Sequence, residues 1–399
     1  MEKKALVYFQ SGGPTAVINC SFYGVLKEAL KHEEIGDILG SLRGVEGLIN
    51  DELVDLRKED LDEIELLKQT PGAALGSTRH MLPAFEDPDF EKILATIQKH
   101  HVGYILVNGG NDSMDTCNKL ARFFELTKCP IRVIGIPKTI DNDLALTDHS
   151  LGFASAAKHI VNFVKMAVID NQVYRKGKVV LVEIMGRNAG WLTASTDVLP
   201  EGERPDLIYL PEMKWDEEAF LADVKRVYEK KGNVVVALSE GLPVQHHNHG
   251  VVDSFGHAQL EGISEVLAQS ISEHLGYGSR IMELSLPQRA DPVFASESEK
   301  KEAIACSEFA VKSVLAGKSG FMVCIRRDSN NPYKSSFFLG DLNLVANQEK
   351  KVPAEWIIDS TRLSEEFRQY IRPLIAGESR IEWGDGVFRS CHLKLIRVK

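Results

Sequence analysis

Several features that define other classes of protein are scarce or missing in this sequence. Its six cysteines are scattered among 399 residues and form no Cys-X-X-Cys pair, so neither a disulfide framework nor a zinc ribbon is indicated. No run approaches the ~20 apolar residues that cross a bilayer. The apolar run 5–9 is shorter than the ~7–15 residues of a secretory signal core. We therefore expect a cytoplasmic protein whose cysteines are reduced.

Positively charged residues are also fewer than negatively charged ones. The chain has 47 Lys and Arg against 57 Asp and Glu, which gives a net charge of −10 at pH 7. Because each contact to a nucleic-acid phosphate needs a cation, a nucleic-acid partner is not expected. A small phosphate compound remains open as a ligand, since a few local basic groups and a metal ion suffice to bind it.

Short apolar runs, by contrast, are abundant and alternate with helix-length amphipathic segments. The runs lack polar alternation, which is typical of parallel strands buried on both faces. Strands and helices in this order predict an α/β fold with doubly wound sheets, and the chain length favours two domains. The pattern weakens after residue 340, so the last part of the chain is expected to wrap over the domains. The predicted strands are 5–9, 104–107, 131–136, 179–184, 207–210, 234–238 and 321–325, and the clearest helices are 16–30, 90–99, 113–126, 154–169 and 217–228.

Three of these strands end in polar loops that lead towards helices. Open α/β sheets bind ligands at the carboxyl ends of their strands, so these loops are candidates for a site. Gln10–Thr15 and Asn108–Ser113 each contain a glycine pair followed by a helix, an arrangement whose free N–H groups can cradle a phosphate. Each glycine pair alone is equally typical of an ordinary βα turn.

The third loop, Gly135–Asp143, carries the most informative polar residues. If it is extended, Thr139, Asp141 and Asp143 point to one side, because side chains alternate along a strand. One carboxylate could then accept a proton from a hydroxyl while the other holds Mg²⁺. A solvated Asx turn is the alternative interpretation of an Asp-Asn-Asp run.

Taken together, these segments resemble the phosphofructokinase family, and more closely its pyrophosphate-dependent branch. The resemblance covers about residues 4 to 325, and 351–356 also look like the pyrophosphate-dependent members. It implies two Rossmann-like domains with the active site in the cleft between them: residues 1–153, completed by 288–340, for the phosphate donor, and 154–287 for fructose 6-phosphate. Residues 341–399 form a C-terminal extension. The segments that carry the resemblance are Ser11–Gly13, Leu75–Arg79, Gly109–Ser113, Pro137–Asp143, Met185–Arg187, Ser239–Gly241 and Pro287–Arg289.

The resemblance also implies a reaction, a cofactor and a set of residues. A phosphoryl group would move to the 1-hydroxyl of fructose 6-phosphate with Mg²⁺, in a reversible step of glycolysis. Asp141 would be the base, and Asp143 and Asn111 would hold the metal. The donor would face Gly13, Arg79 and Asp112. The sugar phosphate would be bound by Thr139, Met185, Gly186, Arg187, Glu240 and Arg289, together with Lys178 and Arg280 from a neighbouring subunit of a homodimer or homotetramer.

Two residues indicate which donor is used. ATP-using relatives carry glycine at the positions of Asp112 and Lys138. The Asp112 carboxylate should repel the α-phosphate of ATP, and the Lys138 ammonium can neutralise the phosphate that leaves pyrophosphate. Pyrophosphate is therefore the predicted donor.

Two departures from the family pattern bear on the metal and the sugar. Asn111 replaces an aspartate that many members use near Mg²⁺, so any ligation is through an uncharged amide oxygen. Leu286 replaces a histidine or tyrosine that contacts the sugar phosphate, which leaves larger sugar phosphates such as sedoheptulose 7-phosphate open.

The sequence also allows two alternative functions and contains one run that resembles a metal site. An ATP-dependent phosphofructokinase is the alternative within enzymes, and a non-catalytic sugar-phosphate sensor is the alternative from another class. The presence of Asp141 argues against the sensor, because such a protein does not need the base. The run Gln245–His249 is rich in histidine, but its polar surroundings favour an exposed loop over a metal site.

Overall fold

The computed structural model describes residues 3–244 and 262–399, so the histidine-rich run 245–249 lies outside the described residues. The chain forms two compact units. Unit 1 comprises 1–152, 289–348 and 377–399, and unit 2 comprises 153–288 and 349–376. Among the described residues, no helix is long and apolar enough to span a membrane.

The alternation of strands and helices predicted from the sequence is confirmed. The strands are β1 Lys4–Gln10, β2 Ile35–Ser41, β3 Leu53–Asp55, β4 Val102–Gly109, β5 Arg132–Thr139, β6 Leu151–Gly152, β7 Val179–Ile184, β8 Leu207–Tyr209, β9 Val234–Ser239, β10 Ser279–Glu283, β11 Phe321–Asn330, β12 Tyr333–Asp341, β13 Ile357–Asp359, β14 Arg362–Leu363, β15 Trp383–Gly384 and β16 Val387–Phe388. The helices are α1 Ile18–Ala29, α2 Val45–Ile49, α3 Leu61–Leu66, α4 Pro88–Lys99, α5 Asn111–Leu126, α6 Phe153–Asn171, α7 Trp191–Ala194, α8 Glu217–Lys231, α9 Ile263–Leu275, α10 Pro287–Ala290, α11 Glu297–Leu315, α12 Leu342–Val345 and α13 Glu365–Ile371.

Unit 1 is built on a large sheet in the order β12-β11-β5-β4-β1-β2-β3. Its central strands are parallel, whereas β3 and β12 at the two edges are antiparallel to their neighbours. Residues of β1 alternate between two cores: Leu6 and Tyr8 belong to one hydrophobic cluster, and Val7 and Phe9 to another. Both faces of the strand are therefore covered, which explains its continuous apolar run.

Unit 2 contains a smaller, all-parallel sheet in the order β10-β7-β9-β8. Strands β7 and β9 are almost fully buried, because α8 and α9 contribute side chains to a common core with them. Strand β10 forms the edge of the sheet and differs from them: Arg280, Ile281 and Glu283 are exposed.

The part of the C-terminal extension that belongs to unit 2 is anchored by aromatic side chains. The ring of Trp191, at the start of α7, lies 6.1 Å from that of Trp356 and 5.5 Å from that of Tyr370. The indole N–H of Trp191 also donates a hydrogen bond of 2.8 Å to the carbonyl of Lys350. Aromatic pairs of this kind contribute ~0.5–1.5 kcal/mol each beyond their buried area.

The cysteines and tryptophans are divided unequally between the units. All six cysteines belong to unit 1 and are free thiols, and four of them are buried: Cys20, Cys117, Cys306 and Cys324. Three of the four tryptophans, Trp191, Trp215 and Trp356, belong to unit 2.

Candidate active site

The first glycine loop follows β1 in unit 1 and brings its backbone close to two cationic side chains. Gly12 has φ of 77°, the left-handed region that side chains rarely adopt, and a Cβ there would lie 3.1 Å from the Lys138 Nζ. A Cβ on Gly13 would lie 3.2 Å from a terminal guanidinium nitrogen of Arg289. The two glycines therefore allow the backbone to approach two cations closely. Arg79 is exposed and follows Thr78, whose carbonyl accepts a hydrogen bond from Gly12 N.

Lys138 is a buried cation at this loop. Its side chain lies near the end of β5 rather than in the loop that the sequence suggested, and the residue is 2% exposed. The ammonium donates a hydrogen bond of 2.7 Å to the carbonyl of Gly13. Burial and, to a smaller extent, the Arg289 charge lower the pKa of Lys138 to about 8, although the Asp141 carboxylate opposes this shift. A buried ammonium without a full counterion is well suited to an anionic ligand.

The predicted Thr139–Asp143 strip is only partly extended. Strand β5 ends at Thr139, whose hydroxyl oxygen accepts a hydrogen bond of 3.1 Å from the Asp141 N–H. Asn142 then adopts φ of 56°, and its side-chain oxygen accepts a hydrogen bond from Ser150 N at 2.9 Å. The segment is therefore not continuously extended, because a residue in the left-handed region interrupts it. The Thr139 hydroxyl also lies 3.4 Å from an Asp141 carboxylate oxygen.

The second glycine loop is shorter than the sequence suggested, because α5 begins at Asn111 with Gly110 as its N-cap. Asp112 thus lies exposed in the first helical turn, where a carboxylate also stabilises the helix dipole. The Asn111 amide donates to an Asp143 carboxylate oxygen at 3.3 Å and to the Gln348 carbonyl at 2.9 Å.

The Asn111 amide and the Asp143 carboxylate carry oxygen donors of the class that Mg²⁺ prefers. The amide oxygen of Asn111 is buried and accepts no hydrogen bond from the residues that the structure describes. Mg²⁺ binds one or two protein oxygens and completes its coordination with phosphate and water. Within 3–244 and 262–399 there is no group of three or more His, Cys, Asp or Glu side chains that could hold a metal without such help.

The loop that follows Asp143 is held by a buried charge network that sequence analysis missed. The ring of His149 is fully buried, and its two nitrogens lie 2.9 Å from carboxylate oxygens of Asp148 and Glu302. Burial opposes the charge on His149, but Glu302 and Asp148 outweigh it and raise its pKa to about 9. Glu302 also accepts hydrogen bonds from Tyr333 and Ser335, at 2.7 and 2.6 Å.

In unit 2, the turn Met185–Arg187 follows β7 and is tied to the neighbouring strand end. Gly186 has φ of 135°, and its N–H donates to a Glu240 carboxylate oxygen at 3.3 Å. The Met185 N–H donates to the side-chain oxygen of Gln288 at 3.1 Å. A Cβ on Gly241 would lie 1.7 Å from the Arg187 carbonyl, so glycine is required there. The predicted sugar-binding turn and Glu240 therefore form one connected group.

Residues 349–352 pack behind this turn, which sequence analysis did not predict. The Asn188 amide donates to the Glu349 carboxylate at 2.5 Å. A single carboxylate oxygen of Glu212 accepts hydrogen bonds from the N–H groups of Gly190 and Val352, both at 3.0 Å. The C-terminal extension thus stabilises the backbone that immediately follows the turn.

Lys178 and Arg280 lie at the other end of the sheet from the turn. Lys178 directly precedes β7, and Arg280 pairs with Val180 near the start of that strand. Both side chains are exposed. Six strand residues at ~3.3 Å each separate the start of β7 from its carboxyl end by about 20 Å.

With this geometry established, comparisons with known proteins identify the family. The family model described as phosphofructokinase matches residues 5–315. The chain belongs to the phosphofructokinase family. It is 38% identical to the pyrophosphate–fructose 6-phosphate 1-phosphotransferase of Xanthomonas campestris pv. campestris, and the match covers 98% of this chain and 97% of that protein.

Two solved phosphofructokinases are similar to the chain over nearly their whole length. The pyrophosphate-dependent phosphofructokinase from Nitrosospira multiformis has a TM-score of 0.91 at 34% identity and covers 99% of this chain and 98% of its own. The corresponding enzyme from Marinobacter aquaeolei has a TM-score of 0.90 at 36% identity, with coverage of 100% and 98%. The family resemblance and the α/β fold predicted from the sequence are confirmed.

The residues predicted from this resemblance to phosphofructokinases fall into three groups. Unit 1 contains Gly13, Arg79, Asn111, Asp112, Lys138, Thr139, Asp141, Asp143 and also Arg289, which was predicted to contact the sugar phosphate and lies beside Gly13 and Lys138. Unit 2 contains the connected group Met185, Gly186, Arg187 and Glu240. Lys178 and Arg280, also of unit 2, form the third group at the opposite end of β7.

Proposed function

We propose that this phosphofructokinase transfers a phosphoryl group from pyrophosphate to the 1-hydroxyl of fructose 6-phosphate, giving fructose 1,6-bisphosphate and phosphate. The single observation that carries the choice of donor is the buried Lys138 ammonium at the Gly12–Gly13 loop. It occupies space that a nucleotide would need and supplies a cation for the leaving phosphate. The similarity to proteins named as pyrophosphate-dependent supports the same conclusion.

The donor half of the site uses backbone and cations. The glycine loop and the N-terminus of α5 present N–H groups to the pyrophosphate, and Arg79 and Lys138 balance its charge. Asp112, exposed in the first turn of α5, places a carboxylate where ATP would carry its α-phosphate. Pyrophosphate, which has no further phosphate or nucleoside, avoids that repulsion.

Asn111 and Asp143 would hold Mg²⁺, whose role when bound is to neutralise charge on the phosphates. The support is that the Asn111 amide oxygen is buried and accepts no hydrogen bond from the described residues, while the amide N–H group lies 3.3 Å from the Asp143 carboxylate. The Gln348 carbonyl fixes the Asn111 amide by accepting its N–H, which directs the amide oxygen away from that bond.

Asp141 is proposed as the base. Its carboxylate takes the proton from the 1-hydroxyl while the hydroxyl oxygen forms a bond to the phosphorus, and the bond from that phosphorus to the bridging oxygen breaks. The electron pair leaves with the second phosphate beside Lys138. The N–H···O bond from Asp141 to Thr139 fixes the turn that presents the carboxylate.

The sugar phosphate is assigned to the Met185–Arg187 turn, Glu240, Thr139 and Arg289. Lys178 and Arg280 are assigned to the sugar phosphate of a second copy of the chain. The ~20 Å length of β7 supports this assignment, because the two cations lie far from the turn of their own chain. We therefore propose a homodimer or homotetramer with shared sites. The six free cysteines favour the cytoplasm as its location.

A coupled assay of fructose 1,6-bisphosphate formation with Mg²⁺ and either pyrophosphate or ATP tests the proposal. We expect turnover with pyrophosphate and little with ATP. A preference for ATP would replace the proposal with the ATP-dependent activity. Absence of turnover with both donors, together with binding of fructose 6-phosphate, would indicate the sugar-phosphate sensor instead. Running the assay with sedoheptulose 7-phosphate as acceptor tests the sugar.

A further inference from the structure

A cavity of unit 2 that plays no part in the proposed reaction is lined by four arginines. It has a volume of about 550 Å³ and lies between the turn that ends at Arg204 and the segment Ile358–Arg372. Such a concentration of cations is notable in a chain whose net charge is −10. The arginines are Arg204, Arg362, Arg368 and Arg372.

Two of these arginines are fixed by a carboxylate behind the cavity. Asp197 is fully buried, and its oxygens accept hydrogen bonds from Arg204 at 3.2 Å and from Arg368 at 2.9 Å. The Leu363 N–H donates to the same carboxylate at 3.0 Å, which holds it in place. An anion that binds there meets guanidinium groups that are already ordered, so little side-chain entropy is lost on binding.

The other two arginines are more exposed. Arg372 pairs with Glu365 at 2.7 Å, while the Arg362 side chain makes no hydrogen bond to the residues that the structure describes. The lining holds four arginines against two carboxylates, Glu201 and Glu365, while Asp197 lies behind it and Asp359 interacts electrostatically with Arg362. Each guanidinium has five N–H donors, so most of them are not used by these carboxylates.

One wall of the cavity is apolar. Leu199, Pro200 and Ile358 line it, and Ile358 is 51% exposed although it is a large aliphatic residue. The volume falls within the ~300–1,000 Å³ range of small-molecule sites and is much larger than a single phosphate ion needs. The ligand that fits carries both a charged group and an organic body.

We propose that this cavity binds a phosphate monoester, with the phosphate held by the four arginines and the organic body against Leu199, Pro200 and Ile358. The planar guanidinium fork matches a phosphate with paired N–H···O bonds, which an ammonium cannot provide. The proposal rests on unit 2 alone and does not depend on the reaction proposed above.

Calorimetric titration with phenyl phosphate tests the site. In Arg362→Gln/Arg372→Gln, which leaves the pairs with Asp197 intact, we expect the affinity to fall at least ~10-fold. The control is Arg226→Gln, which removes one arginine charge from α8, where Arg226 pairs with Asp223 outside this cavity. Its affinity should equal that of the wild type. Inorganic phosphate should bind more weakly than phenyl phosphate, and uncharged phenol should not bind.

The variant Lys138→Met distinguishes binding of phenyl phosphate in the arginine cavity from binding at the proposed donor site. If the arginine cavity is the site, this variant retains the phenyl phosphate affinity that the double arginine variant loses. Equal affinity in the double variant and in Arg226→Gln would overturn the proposal. The single variant Arg362→Glu is the second test, because it alters an exposed side chain and should abolish binding without affecting thermal unfolding by more than a few degrees.

Discussion

The residues proposed to bind the donor in unit 1 and those proposed to bind the sugar phosphate in unit 2 are arranged in different ways. In unit 1, Lys138, Gly13, Arg289 and Asp141 lie close together, and the loop that follows is fixed by the buried His149 network. In unit 2, the Met185–Arg187 turn and Glu240 are connected, but the cations Lys178 and Arg280 lie exposed at the far end of β7. Under the proposed function, the groups for the donor therefore lie together in one unit, whereas the groups for the sugar phosphate are divided.

The largest expected effect is on the base. Asp141→Asn keeps the shape of the side chain but cannot accept a proton, so kcat should fall by at least ~10²-fold while KM for fructose 6-phosphate changes little. Asp115→Asn is the matched control, because Asp115 lies on the neighbouring α5 and pairs with Lys119. Steady-state kinetics of the two variants decide the matter, and near-normal turnover of Asp141→Asn would remove this residue from the mechanism.

The next largest effect is expected when Lys138 or Asp112 is changed, and it concerns the use of pyrophosphate and ATP as donors. Lys138→Met keeps the buried volume and removes the cation, so kcat/KM for pyrophosphate should fall about 10²-fold, since a charge-assisted contact contributes ~3 kcal/mol. Asp112→Gly should strengthen ATP binding without giving good turnover. In Asp112→Gly/Lys138→Gly, the ratio of kcat/KM for ATP to that for pyrophosphate should rise by more than the two single variants combined predict. The reason is that both residues are proposed to contact the same ligand.

The measurement is kcat/KM for both donors in the wild type and the variants. Intact use of pyrophosphate by Lys138→Met would contradict the assignment of the donor. Strictly additive shifts in the double variant would show that Asp112 and Lys138 act at separate places.

If Lys178 and Arg280 serve the site of a neighbouring chain, two variants that are each inactive should complement one another. Lys178→Ala/Arg280→Ala and Asp141→Asn should each be nearly inactive alone. Mixed after unfolding and refolding together, they should recover activity, because some pairs of chains combine intact groups; for a dimer mixed equally the recovery is about a quarter of the wild type. Sedimentation of the active species gives its size. Recovery no greater than the sum of the two variants would rule out shared sites.

The smallest expected effect on activity comes from changing His149, which holds the loop that follows Asp143. His149 has an ordinary pKa of 6.5 and a folded pKa of about 9, so its charge stabilises the fold fully below pH 6.5, and this contribution is lost as the pH rises towards 9. His149→Gln should cost on the order of 3 kcal/mol at pH 6, because buried carboxylates lose their cation.

The measurement is thermal unfolding of both proteins between pH 6 and 9. The difference in Tm should narrow as the pH rises, and kcat should fall only a few-fold. A difference in Tm that is constant across this range would mean that the charge of His149 contributes nothing.

Local patterns in the sequence predicted much of this fold. The predicted strand 179–184 coincides with β7, because its side chains are all apolar except Glu183 and the run begins directly after Lys178. Strands β2, β10 and β12 were missed, since glycine, charge and polar residues interrupt their apolar character. Helix α11 was missed for a related reason: its polar residues Glu299, Lys300 and Glu302 are buried, so its amphipathic pattern is weak.

The site was predicted mainly through the order of its motifs, and the remaining details depend on distant parts of the chain. Lys138 was expected in a loop, because a lysine in a buried strand is unusual without a partner such as the Gly13 carbonyl. The contact between His149 and Glu302 joins residues 153 positions apart, which no local pattern predicts. The position of Arg289 beside Gly13 likewise depends on the tertiary fold.

The unequal division of cysteine and tryptophan provides two separate reporters of unfolding in one unmodified chain. Burial raises the pKa of Cys20 to about 12 and that of Cys306 well above its ordinary value, so these thiols react with alkylating reagents only after unit 1 opens. Tryptophan fluorescence, with three of its four sources in unit 2, follows the other unit. Recording both signals during one denaturation therefore measures whether the two units lose their structure in a single cooperative step or in succession.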